Sequence, residues 1–324
     1  MKVKVFYHDK CFDGACSAAL FARFYQERIR EDVEFIFSGL LHRAGALFDE
    51  ADFTGDENAI VDFKYSSSPQ ITWWFDHHES AFLTPGDAEH FEQDQSNRKF
   101  YDPSFRSCTK FLATVAEQRF GFNPAPVAEV IEWADIIDGA LYPNATSAVE
   151  MREPAMKLTM VIETAQDPDF VPKLITLLAN KPLASILEEP FVAPLLPPLM
   201  ERHQRSIGIM RERTEFKDGT IFFDVTDHDL EGYNKFIPYY LHPASIYSVG
   251  LSKSSFRTKV SVGSNPWAQD DRLVNLAKIC ERYGGGGHAR VGAISFDVKQ
   301  EEAARKAARD IVEELRTSVR NNGA

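Results

Sequence analysis

Ile71-Thr72-Trp73-Trp74-Phe75-Asp76-His77-His78 passes from apolar to ionisable side chains within a single residue step. The stretch before Asp76 is β-branched and aromatic, a composition that suits a strand buried on both faces. A strand that stops on one carboxylate and two imidazoles fixes those groups at a sheet edge. Carboxylate oxygens with imidazole nitrogens suit manganese, and admit magnesium, zinc or iron less selectively. The tripeptide alone does not establish a metal site, because paired histidines also occur by chance on surfaces.

The neighbouring segments repeat the pattern. Residues 2–8 read as a buried strand ending at His8, followed by His8-Asp9-Lys10-Cys11-Phe12-Asp13-Gly14 and a helix over 15–30. Residues 59–63 form another short apolar strand, whose end carries Asp62. Three strand ends thus deliver polar side chains, and in an open parallel sheet the carboxyl ends of the strands are where ligands bind. The expectation is a doubly wound α/β domain with a mainly parallel sheet, in which these ends converge. Helices are predicted over 101–120 and 126–137; beside the second, Trp133-Ala134-Asp135-Ile136-Ile137-Asp138-Gly139 supplies two further acids.

A pair of metal ions needs a shared carboxylate between them and terminal ligands on each. Asp62 is the candidate bridge. Asp135, set beside the three polar strand ends, is the candidate for the remaining ligand.

Prolines crowd residues 180–198 and mark a boundary. The predicted organisation is a catalytic metal-binding domain over 1–190, a linker with a helix over 191–214, and a smaller α/β substrate-binding domain over 215–324. The active site is expected in the cleft between the domains. In the second domain, strand-like runs at 220–225, 245–251 and 258–262 precede a helix over 271–282. The run Gly284-Gly285-Gly286-Gly287-His288, a strand over 293–298 and a charged helix over 300–319 follow.

Bulk properties narrow the function. The 324 residues are 44% hydrophobic, enough for two ordinary cores. No apolar run approaches the roughly 18 residues of a membrane span. The N-terminus meets His8 and Asp9 before any apolar signal region can form, so a cytoplasmic location is expected. The four cysteines, Cys11, Cys16, Cys108 and Cys280, match no zinc-ribbon spacing and read as reduced thiols. A net charge of −12 disfavours the broad phosphate-tracking surface that extended duplex nucleic acid requires. A small nucleotide or short oligonucleotide held through metal is compatible, and homodimerisation is left open.

The ordered motifs resemble the DHH phosphoesterases, a family that includes inorganic pyrophosphatases, single-strand exonucleases, oligoribonucleases and cyclic dinucleotide phosphodiesterases. His8-x-x-Cys11-x-Asp13-Gly14 is similar to the family's first motif, Asp62 to the second, Asp76-His77-His78 to the third and Asp135 to the fourth. The glycine run with His288 is similar to the signature of the associated C-terminal domain. The resemblance implies a metal-dependent phosphohydrolase with two divalent ions, manganese in the first instance. His8, Cys11, Asp13, Asp62, His77 and Asp135 would be ligands. His78 would contact phosphate or the leaving group, and Asp76 would orient a histidine. Gly286, Gly287, His288 and Arg290 would bind substrate. The chain departs from the common pattern at Cys11, where many members carry aspartate, and at Gly263-Ser264, where many carry arginine-serine.

Overall fold

The computed structural model describes residues 1–42, 47–230, 232–268 and 273–322. They form two compact units, one of Met1–Tyr142 with Met151–Leu196, the other of Pro143–Glu150 with Pro197–Ala324. The first contains β1 (Lys2–His8), α1 (Phe12–Arg28), β2 (Glu34–Leu40), β3 (Glu57–Val61), β4 (Ile71–Asp76), α2 (Pro85–Glu92), β5 (Lys99–Tyr101), α3 (Cys108–Phe120) and α4 (Ala128–Asp138). After α5 (Ala145–Val149), which belongs to the second unit, it continues with α6 (Pro154–Thr164), α7 (Phe170–Leu178) and α8 (Leu183–Ile186).

The sheet order is β2-β1-β3-β4-β5, with every pairing parallel. Strand order reverses between β1 and β3, which makes their carboxyl ends the topological switch point. Side chains alternate across β4 as the strand period requires. Trp73 and Phe75 face Phe21 of α1, with ring centroids 6.0 and 6.1 Å away. Trp74 turns to the other face, against Tyr65, Phe82 and Phe91. Both faces are covered, so the strand is apolar without interruption. The indole N–H groups are satisfied by Glu57 at 2.8 Å and by the Phe63 carbonyl at 2.9 Å.

One expectation about this unit is revised, and an unanticipated strand is added. The helix predicted from residue 101 begins only at Cys108. Asp102 accepts from the backbone and hydroxyl of Ser104, Pro103 disfavours helix before it, and Ser107 caps α3 by accepting from Lys110 N–H at 3.1 Å. Strand β2, with Glu34, Ser38 and Gly39 in its sequence, is an additional edge strand.

The second unit adds α9 (Leu196–Arg213), β6 (Thr214–Lys217), β7 (Thr220–Asp224), α10 (Ile237–Leu241), β8 (Tyr247–Lys253) and β9 (Thr258–Ser264). Its remaining elements are α11 (Leu276–Glu281), β10 (Gly286–His288), β11 (Val291–Phe296) and α12 (Glu301–Asn322). The sheet order is β10-β11-β9-β8-β7-β6, antiparallel except for the parallel β7–β8 pair. Ala304, Ala308, Ile311 and Leu315 of α12 recur at helical spacing and are buried on Val249, Leu251, Val260 and Val262. The first four positions predicted for the helix over 271–282 include residues 271 and 272, which lie outside the described residues. No described helix is long and apolar enough to cross a membrane.

Candidate metal centre

The carboxyl ends of β1, β3 and β4 meet, as three strands ending in polar residues require. His8 closes β1. Gly14 lets α1 start directly against it, since a Cβ there would lie 2.1 Å from the His8 carbonyl oxygen. This close approach brings Asp13, in the first turn of α1, under the strand ends. Its Oδ2 accepts Cys108 N–H at 2.6 Å and its Oδ1 accepts Thr109 N–H at 3.0 Å, so the start of α3 clamps the carboxylate.

Asp62 follows β3 in the left-handed region, φ +56°, and its N–H donates to the Phe75 carbonyl at 2.9 Å. Few non-glycine residues adopt this conformation, and aspartate is among those that tolerate it. It aims the side chain into the switch point. Asp62 Oδ2 lies 3.5 Å from His8 Nδ1, and Oδ1 lies 3.4 Å from His77 Nε2. His77 Nε2 is also 3.7 Å from Asp13 Oδ2 and 3.5 Å from Asp138 Oδ2. The Phe105 carbonyl, 3.2 Å away, can only accept, so His77 Nδ1 carries a proton and Nε2 is the nitrogen left for the carboxylates or for a cation.

Asp76, the last residue of β4, is fully buried and works differently. Its Oδ1 accepts His77 N–H at 2.9 Å, His78 N–H at 3.4 Å and His78 Nδ1–H at 2.7 Å. It therefore fixes the backbone turn through His77 and His78 and orients the part-exposed His78 imidazole.

Asp62 Oδ1 and Oδ2, His8 Nδ1 and His77 Nε2 are all buried without a hydrogen-bond partner among the described residues. Such groups are costly unless something else satisfies them. Among the described residues, three overlapping sets have ligand atoms close enough to share a cation: His8 with Cys11 and Asp62, Asp62 with His77 and His78, and Asp13 with His77 and Asp138. The residues present fit divalent cations.

The ionisable groups of the cluster act strongly on one another. Burial raises the Asp13 carboxyl well above the usual range, and the fields of Asp62 and Asp138 raise it further. Burial and then Asp62 push Asp138 up to about 6. For His77, burial opposes the charged form, but the Asp62 contact and the fields of Asp13, Asp62 and Asp138 outweigh it and raise the imidazole to about 10. Asp62 itself is held below the usual carboxylate range, burial being overcome by His77 and His8. Burial, then Asp62 and Asp13, push the Cys11 thiol up.

The sequence favours Asp135 as the fourth-motif residue; Asp138 is the one in the cluster. Asp135 accepts from Ser107 Oγ at 3.3 Å and belongs to none of the three sets. The two acids lie three residues apart on α4, on one helix face, so spacing could not separate them. His42, just beyond β2, was not anticipated. Its ring stacks on Phe63 at 4.6 Å and meets His8 edge-on at 5.0 Å. The signal was a histidine at a strand end, hidden because the strand itself was not recognised.

In the second unit the glycine run is strand as well as turn. Gly284 makes the turn at φ +76°, and Gly286–His288 pairs with Val291–Ala293. Gly287, at φ +148°, approaches β11 so closely that a Cβ would lie 2.2 Å from the Val291 carbonyl oxygen. His288 and Arg290 are exposed. The Arg290 carbonyl accepts from Ser264 N–H and Oγ at 2.9 and 3.1 Å.

No family model and no curated protein matches the sequence. Solved structures do match in fold. A pGpG-specific phosphodiesterase from Vibrio cholerae aligns with TM-score 0.65 at 18% identity, over 99% of both chains. An exopolyphosphatase-related protein from Bacteroides fragilis aligns with TM-score 0.52 at 15% identity, over 98% of this chain and 93% of the other. A DHH domain described as a member of the s1p family of ribosomal proteins aligns with TM-score 0.53 at 15% identity, over 96% and 86%.

Proposed function

We propose, from the premise that this chain has the fold of the DHH proteins, that it is a metal-dependent phosphohydrolase of short nucleotides. The observation that carries the reading is Asp62, whose two buried, unbonded oxygens turn to different donor groups, as a carboxylate shared by two cations requires. His8 and Cys11 would complete one side, and Asp13, His77 and Asp138 the other. We take Asp138 in place of Asp135 because it is the acid beside His77 Nε2.

Bound there, two divalent cations, manganese in the first instance, supply a lowered water pKa and neutralise phosphoryl charge. The residues do the rest. Asp76 holds His78 with Nδ1 engaged, so Nε2–H of the imidazolium can protonate the departing oxygen. Water oxygen joins phosphorus as the bridging P–O bond breaks, and the proton lost by His78 is replaced from that water. Asp13, fixed by two backbone N–H groups, keeps its side of the cluster from shifting.

A dinucleotide is the favoured substrate. The net charge of −12 suits a short anion gripped locally, and the phosphodiesterase of similar fold is named for pGpG. Gly286, Gly287, His288 and Arg290 are proposed to contact the rest of the nucleotide. The test is purified protein with added manganese against a 5′-phosphorylated dinucleotide, a cyclic dinucleotide, pyrophosphate and polyphosphate. Manganese-dependent release of mononucleotide from the dinucleotide is expected. Preferential cleavage of polyphosphate would move the assignment towards the exopolyphosphatase-related protein, and no turnover of any substrate would end it.

A further inference from the structure

We infer that the two cation positions are chemically unlike, with the His8 side selecting a thiophilic ion, zinc or ferrous iron, while the Asp138 side takes a hard one. The inference rests on the two-cation reading above. The donor sets differ in kind: imidazole nitrogen, thiol sulfur and carboxylate oxygen from His8, Cys11 and Asp62, against two carboxylates and one imidazole from Asp13, Asp138 and His77. Asp62 turns one oxygen to each set, so the shared ligand does not even out the difference. Thiolate favours zinc and iron over manganese and magnesium, whereas carboxylates accommodate the harder ions.

Within the local structure the Cys11 sulfur meets the Gly14 N–H, a contact that a metal-bound thiolate also accepts. Cys11 occupies the N-cap of α1 with extended backbone, φ −121° and ψ 132°, a position where serine, threonine, aspartate and asparagine are preferred. Cys16 and Cys108, by contrast, are fully buried, and Cys108 Sγ donates to the Phe75 carbonyl at 3.3 Å. Neither is in a ligand set. On cation binding the Cys11 S–H bond breaks, a sulfur–metal bond forms and the proton passes to solvent, with no change of oxidation state.

Cobalt(II) is the probe, titrated into the full chain after chelator treatment. Wild type should bind two ions and develop the near-ultraviolet absorption of thiolate-to-cobalt charge transfer. The band should vanish in Cys11→Asp and Cys11→Ala and persist in Asp138→Asn. Aspartate is a good N-cap, so Cys11→Asp should keep its far-ultraviolet circular dichroism. Equilibrated with equal zinc and manganese, wild type should retain one of each. Cys11→Asp should lose its zinc preference by more than about 100-fold, the upper end of what removing a mere support of a ligand does. Two bound cobalt ions without the band, or a band surviving in Cys11→Ala, would overturn this inference and leave the two-cation reading intact. A wild type that binds no cobalt would overturn both.

Discussion

Asp76→Asn separates proton delivery from cation binding. The amide can still accept His77 and His78 N–H through its oxygen, so the turn after β4 should survive. What disappears is the negative charge 2.7 Å from His78 Nδ1. For His78, burial disfavours the imidazolium, and Asp76, by hydrogen bond and charge, overrides it. Without Asp76 the imidazole pKa therefore falls. An acid must be protonated to act, so wild-type turnover should decline as pH rises through the raised His78 value, and the variant's decline should come at lower pH. General-acid catalysis contributes about 10²–10⁴-fold, or about 3–5 kcal/mol of barrier. That loss should fall on a dinucleotide, whose ribose alkoxide leaves poorly, and should nearly disappear on a nitrophenyl diester, whose leaving group needs no proton. The assay is kcat against pH on both substrates, with metal content measured in parallel. An equal loss on both, or no loss on the dinucleotide, would refute the role given to Asp76 and His78.

Asp62→Asn tolerates the left-handed backbone and should fold, yet lose at least one cation per chain by elemental analysis and at least about 10³-fold in kcat/KM, the several kcal/mol a bridged ion supplies. Because cations must displace the proton that the surrounding carboxylates hold on His77, whose imidazole is raised to about 10, affinity should increase with pH below that value. Calorimetry in buffers of different ionisation enthalpy should then register proton release on manganese binding, and zero release would contradict it. In the second unit, Asp224 accepts from Thr226 and from Arg305 at 2.9 Å; burial raises its carboxyl, but these partners bring it below the usual range. Its contribution is therefore complete above about pH 4 and fades as pH drops through the lowered folded value. Asp224→Asn should cost about 1 kcal/mol in denaturant unfolding at pH 7, with the difference shrinking in acid.

Much of the N-terminal sheet was legible because β1, β3 and β4 are buried strands that stop abruptly at His8, Asp62 and Asp76. β2 escaped because an edge strand need not be apolar, and its Glu34, Ser38 and Gly39 broke the pattern. With β2 went His42. Asp135 and Asp138 could not be told apart by periodicity, since only the place where α4 ends decides which acid reaches His77. The glycine run stood out in the sequence, but its pairing with β11 did not, because composition does not encode pairing.

The residues proposed to hold the cations arrive from strand ends and helix ends scattered between positions 8 and 138. Nothing short of the folded N-terminal unit assembles them, so a cation bound there counts as folding free energy for the whole unit. At one hundred times the dissociation constant, a single site adds about 2.7 kcal/mol, enough to raise the melting temperature of a unit this size by about 5–10 °C. Metal scarcity would then act through protein lifetime as well as turnover: the emptied unit opens more often, and proteases acting on the open form would remove the inactive chains first.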